Sequence, residues 1–256
     1  MIQFFAPDIE STGILPPEDS LHCIRVLRHH PGDMITVING RGHRFECRII
    51  SDDPRATAID IISSSLIKPH WGCSLWLAVA PTKNMDRMEW MVEKAVEIGV
   101  DRITPVLCAH SERKVLKTER LHKIAVAAMK QSLKTTLPII DPLTPIQQFL
   151  KMQDHGQKFM GYCDAAYPRL LLAREYKPAA DATLLIGPEG DFSPEEVDMA
   201  VAAGFIPATF GQSRLRTETA AIVALDTLHI VSSLASGPAA ESAMQGRCEP
   251  SIPHDC

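Results

Sequence analysis

The chain has 256 residues, of which 45% are apolar and 22% charged, and its net charge is −5 at pH 7. This is the make-up of a globular protein with ample core for one large domain or two modest ones, and the acidic total argues against a chain that coats nucleic acid indiscriminately. No run approaches the ~18 uninterrupted apolar residues of a membrane span, the opening MIQFFAPDIE has no basic region leading into an apolar one, and the seven cysteines are scattered and never spaced CxxC.

Those features lead to the expectation of a cytoplasmic protein with reduced thiols, no metal site and no membrane association. Residues 1–70 read as β structure. His30-Pro31-Gly32-Asp33 is a turn, Met34 to Ile38 a strand and Asn39-Gly40-Arg41-Gly42 a glycine-rich hairpin connection. Arg44 to Ile50 then alternates basic with apolar residues, as a half-buried strand does, and Ala58 to Ser63 supplies another strand. The whole suggests a small β-barrel. Between His22 and Arg48 lie Arg25, Arg28, Arg41, Arg44 and Arg48 with four histidines, opposed only by Asp33 and Glu46. Such a patch can contact phosphates whatever the total charge, or be a solvated strand face.

A boundary is expected near Lys68 to Gly72, where the period changes. Leu75 to Ala80 is an apolar strand, and Asn84 caps a helix that carries Met88, Met91, Val92, Ala95 and Ile98 on one face before Gly99 stops it. Ile103 to Leu107, Phe159 to Cys163 and Leu184 to Ile186 are further strands, and Thr118 caps a helix to about Leu133. Strands alternating with helices predict a parallel α/β sheet over residues 71–236, with ligands at the carboxyl ends of its strands. From 237 to 256 periodicity is lost, and a disordered tail is expected.

Two strand ends carry glycine loops. Thr183-Leu184-Leu185-Ile186 breaks at Gly187-Pro188-Glu189-Gly190, after which Ser193, Pro194 and Glu196 have the pattern of a capped helix start that runs until Gly204. Pro207 to Phe210 leads into Gly211, and Arg214-Leu215-Arg216-Thr217-Glu218-Thr219-Ala220 opens an almost wholly apolar helix. Either loop alone is what an ordinary βα turn looks like, and no phosphate-cradling GxxxxGK[ST] is present.

Taken together, GPEGDFSPEEV followed by GQSRLRTETAAIVAL resembles the C-terminal signature of the RsmE family, SPOUT-superfamily enzymes that methylate N3 of a uridine in 16S ribosomal RNA. HCIRVLRHHPGDMITVINGRGHRFECRI is similar to that family's PUA-like N-terminal domain, which implies an RNA-guiding role for Arg25, Arg28, Arg41 and Arg44. The resemblance further implies a SPOUT-type parallel sheet with a C-terminal trefoil knot, a homodimer whose sites are completed by the partner chain, and S-adenosylmethionine as methyl donor without a metal. Its motif assigns Leu185, Ile186, Gly187, Glu189, Gly190, Phe210, Gly211, Leu215, Thr217 and Ala220 to the cofactor. One departure stands out. Where many members carry an EQxxR-like element, this chain has Lys130-Gln131-Ser132-Leu133-Lys134, which replaces a bidentate arginine fork by a point charge.

The chemistry of such a reaction needs a cation where charge develops on the uridine carbonyl oxygens as N3 loses its proton. Arg216, at the positive end of the last helix, suits that role, and Glu218 is the candidate general base, although a carboxylate in a first helical turn is also an ordinary dipole partner. Two other functions fit the same sequence: a SPOUT methyltransferase acting on tRNA, and a catalytically silent RNA-binding or assembly protein.

Overall fold

The computed structural model describes residues 2–152, 156–162 and 167–236. The expected tail 237–256 and Cys163, the expected end of a strand, lie outside the described residues.

Four strands form the N-terminal sheet: β1 (Gln3–Phe5), β2 (Met34–Ile38), β3 (His43–Ser51) and β4 (Ala58–Leu66). They pair in that order, β1 parallel to β2 and the others antiparallel. The alternation in β3 resolves as expected: Phe45, Cys47 and Ile49 turn into a core with Phe4, Val37 and Ile59, while Arg48 faces out. Between β1 and β2 the structure inserts what the β reading missed: α1 (Ile9–Thr12), α2 (Pro17–Leu21) and a π-helical turn at His22–Val26. Ile14 bridges Ala58 on β4, so the chain that leaves β1 crosses to the opposite edge of the sheet before α2.

The second sheet is built from β5 (Leu75–Val79), β6 (Arg102–Leu107), β7 (Ile139–Ile140), β8 (Thr144–Pro145), β9 (Gln157–Gly161), β10 (Leu170–Leu171), β11 (Ala182–Ile186) and β12 (Ile206–Thr209). Its order is β10-β12-β9-β11-β5-β6-β7, with β8 beside β6, and its pairings are parallel. The helices are α3 (Met85–Ile98), α4 (Thr118–Gln131), α5 (Ile146–Phe149), α6 (Leu172–Glu175), α7 (Pro194–Ala202) and α8 (Thr217–Ala235). Leu75, Leu77 and Val79 share a core with α3, α4 and α8, whereas Trp76, Ala78 and Ala80 share another with α5 and α7. A sheet covered on both faces follows, which is why β5 and β11 are apolar throughout.

Local rules position the helices. The Asn84 side chain accepts from Asp86 N, and Met88, Met91, Val92 and Ala95 are buried as their spacing requires. Thr118 is the first helical residue of α4 rather than its cap, which is Lys117. By length and composition α8 would suffice to span a membrane, but its Ala221, Ala224, Leu225 and Leu228 lie in the core.

Candidate active site

β11 runs between β9 and β5, and β12 lies on the far side of β9, so the connection from β11 to β12 runs along the sheet opposite to that from β5 to β6. At the carboxyl ends of β9, β11 and β12 a cavity of about 360 Å3 opens, within the ~300–1,000 Å3 of small-molecule sites. Ile186, Ala208, Phe210, Leu215 and Ala220 form its apolar walls, and Glu189, Asp191, Thr209, Arg214 and Arg216 its polar ones.

Two glycines of the lining have no room for a side chain. A Cβ on Gly187 would sit 2.9 Å from the Phe192 ring, and one on Gly161 would sit 2.9 Å from the Phe210 ring. The loop after β11 is held from several sides. Thr217 Oγ1 donates to the Gly187 carbonyl at 3.0 Å, and Glu189 Oε1 accepts from Lys83 N at 3.1 Å. His110 Nδ1 lies 3.1 Å and 3.0 Å from the carbonyl oxygens of Gly190 and Asp191, so a proton on that nitrogen serves both. Asp191 itself is left-handed, at φ +60°, with its N–H donating to Pro188 O at 2.9 Å. The capping box at the start of α7 is present: Ser193 Oγ accepts from Glu196 N and Glu196 Oε2 from Ser193 N. Glu196 Oε1 also accepts from Ala109 N at 2.7 Å, anchoring the loop after β6 to the same corner.

Of the residues expected at the cofactor, Ile186, Gly187, Glu189, Phe210, Leu215, Thr217 and Ala220 line the cavity. Leu185 does not; the strand alternation turns it into the core beneath α5 and α7. Gly190 and Gly211 also stand off the lining: Gly190 packs against His110, and Gly211, at φ +141°, accepts from Thr209 Oγ1 at 2.7 Å in the turn after β12. Arg216 is the extended N-cap residue of α8, exposed on the cavity wall, and among the described residues its guanidinium has no partner.

Glu218 faces elsewhere. Its side chain is 8% exposed, Oε1 lies 3.6 Å from Arg87 Nε on α3, and among the described residues Oε2 has no hydrogen-bond partner. It directly follows Thr217, and that single step around the helix turns it from the cavity to the packing of α8 on α3. Sequence reasoning missed Gly161, Tyr162, Asp191, Thr209 and Arg214 in the lining. Gly161 ends a strand, as Gly187 and Gly211 follow theirs, but only the pairing of β9 with β11 and β12 brings it there.

Arg25 and Arg28 are exposed, Arg28 with φ +60°, and Arg44 is half-buried. Arg41 is exposed but ion-paired with Glu10 at 3.2 Å. Lys130 and Lys134 lie away from the cavity: Lys130 Nζ meets Asp19 of the N-terminal unit, and Lys134 Nζ donates to Glu97 O in the last turn of α3 at 2.5 Å. Burial holds the Lys134 amine below the usual lysine range. Burial also pushes the Cys23 and Cys47 thiols up to about 11 and about 12, so both are neutral core residues. Among the described residues no group of three or more His, Cys, Asp or Glu is placed to hold a metal ion.

The cavity fits S-adenosylmethionine: an apolar slot bounded by glycine backbone suits an adenine, and a rim of hydroxyl, carboxylate and guanidinium groups suits a ribose and an amino-acid end.

Comparison with known proteins finds RNA methyltransferases. An RNA methyltransferase domain model matches residues 69–229, and an RNA methyltransferase PUA domain model matches residues 15–61. The chain is 27% identical over 221 residues to ribosomal RNA small subunit methyltransferase E of Rickettsia conorii, across 86% of this chain and 90% of that protein. The crystal structure of a "probable rRNA-methyltransferase" from Porphyromonas gingivalis superposes with a TM-score of 0.88 at 41% identity, over 92% of this chain and all (100%) of that one. A ribosomal RNA small subunit methyltransferase E from Neisseria gonorrhoeae bound to S-adenosyl methionine gives a TM-score of 0.79 at 26% identity, over 90% of this chain and 98% of that one.

Proposed function

Because the chain belongs to the RsmE family of RNA methyltransferases, we propose that it transfers a methyl group from S-adenosylmethionine to N3 of a uridine in the 16S rRNA of the small ribosomal subunit. The observation that carries the reading is the cavity at the ends of β9, β11 and β12, with apolar walls for the donor and, on its wall, Arg216, which has no partner among the described residues. The bound donor supplies a methyl already activated by its sulfonium.

The chain's own residues then have separable tasks. Ile186, Gly187, Phe210, Leu215 and Ala220 hold the adenosine, with Leu185, Gly190 and Gly211 shaping the strand and loops behind them. Arg216 stabilises the charge that grows on the uridine carbonyl oxygens, aided by the positive end of α8. Glu189 and Asp191 are the carboxylates on the cavity wall, which supports assigning the N3 proton to one of them rather than to the buried Glu218. Glu218 acts by seating the first turn of α8 on α3.

Residues 1–70 form the PUA-like unit that guides RNA through Arg25, Arg28, Arg44 and, less freely, Arg41, and residues 71–236 the SPOUT unit. A trefoil knot is favoured by the strand order: the chain leaves β11, passes beyond β9 to β12, and returns as α8 onto β11 and β5. A homodimer is favoured by the outer face of α8, where Ile230 and Leu234 are 51% and 78% exposed beside half-buried Val223 and Thr227. The RNA substrate places the activity in the cytoplasm. Transfer of labelled methyl from S-adenosylmethionine to rRNA of small subunits tests the reading; label on tRNA instead, or bound donor without transfer, contradicts it.

A further inference from the structure

The tip of the Gly40–Gly42 hairpin reads in the sequence as a glycine-rich connection, and it is bridged to the chain that follows α4. Gly42 N donates to Thr135 O and Leu137 N to Gly40 O, both at 2.9 Å, around an antiparallel bridge between Arg41 and Thr136. From β1, Gln3 Nε2 donates to Lys134 O at 2.9 Å. A Cβ on Gly40 would fall 2.9 Å from the Phe5 ring and 3.4 Å from Leu137 Cβ, so the seam is close-packed as well as hydrogen-bonded. Beside it, Lys130 Nζ contacts Asp19 Oδ1, with the two side chains 27% and 11% exposed.

The hydrogen bonds and the ion pair join three stretches of the N-terminal unit, at Gln3, Asp19 and Gly40–Gly42, to residues 130–137 of the methyltransferase unit. The lysine that departs from the family pattern therefore has its partner in the other domain. A pair this far from water is costly to break from one side, because the remaining charge is left largely buried and alone.

We propose that Lys130 and Asp19 are a positioning pair that sets the angle and distance between the arginine face of the N-terminal unit and the cavity, and thereby which nucleotide of a bound RNA reaches the methyl donor. This rests on the reading of the cavity as a methyl-transfer site and of the arginine face as its RNA guide. The seam holds the two units as one ruler: RNA that engages Arg25 and Arg28 presents its target at a fixed offset from Arg216. Loosening the pair costs orientation, while the cavity, formed wholly by the second unit, keeps its shape.

The test uses Lys130→Glu, Asp19→Lys and the double charge swap in the full-length protein. Each single variant is expected to raise KM for small ribosomal subunits about tenfold, with donor affinity kept, and the swap to return it to near the original value. Hydrogen exchange of the Gly42 and Leu137 amides, measured without RNA, is expected to quicken in the single variants and slow again in the swap. Unchanged KM and exchange in the single variants overturn the proposal. So does an equal loss in singles and swap, which marks a merely structural site. If the unaltered protein methylates no RNA, the methyl-transfer reading fails by itself, and exchange alone then decides whether the pair holds the seam.

Discussion

Thr217 donates from Oγ1 to the carbonyl of Gly187 across 3.0 Å, joining the first turn of α8 to the loop that ends β11. The bond makes the glycine loop and the arginine-bearing helix start one wall of the cavity. Thr217→Val keeps volume and burial but removes the donor, at a cost of about 1 kcal/mol. Calorimetry is expected to show S-adenosylmethionine binding weakened several-fold, with a small fall in melting temperature. Undiminished binding would separate this bond from the site.

Gly161 lies against Phe210, and the latter lines the cavity. Gly161→Ala leaves no room for the ring in its present place, so Phe210 is expected to swing toward the adenine slot. Donor affinity should fall about tenfold, while the folded state loses about 1–3 kcal/mol, the usual cost of one added methyl in a packed site. Loss of stability with affinity intact would contradict the cradle.

Arg216→Ala should reduce turnover by about two orders of magnitude or more, the usual consequence of removing a preorganised electrostatic stabiliser. Donor binding should be nearly preserved. Equilibrium binding and single-turnover rates on the same preparation distinguish the two effects, and a retained rate removes Arg216 from the chemistry.

His229 packs against Trp71 and shares a hydrogen bond with the Gly99 carbonyl at 2.8 Å. Burial holds its imidazole below the usual histidine range, against the raising effects of the Gly99 carbonyl and Asp226. The unfolded chain thus takes up this proton at about pH 6.5, before the folded protein does. The contribution to stability is complete above that pH and is lost as pH falls toward the lower folded value. Melting temperature against pH should drop less steeply in His229→Gln; parallel curves would mean the ring is not held neutral.

What the sequence disclosed was short-range. The alternation of Phe45, Cys47 and Ile49, the buried methionines of α3 and the Ser193 capping box depend on neighbours within a few residues, and each took its expected form. The two glycine loops were legible for the same reason. What stayed hidden depends on pairing at a distance. β1, β7, β8 and β10 are two or three residues long, too short for any period to register. Gly161 entered the lining only because β9 sits between β11 and β12, and Glu218 left it only because α8 packs on α3. Lys134 reads as an RNA or cofactor contact without its bidentate fork, and only the packing on α3 shows it donating to Glu97 O, as only the domain seam sets Asp19 opposite Lys130.

The central claim is tested most directly by incubating the protein with labelled S-adenosylmethionine and small ribosomal subunits, digesting the 16S rRNA to nucleosides and identifying the methylated one. The account predicts label in 3-methyluridine, absent from the Arg216→Ala reaction. Label in any other nucleoside, or none while the donor remains bound, would contradict it.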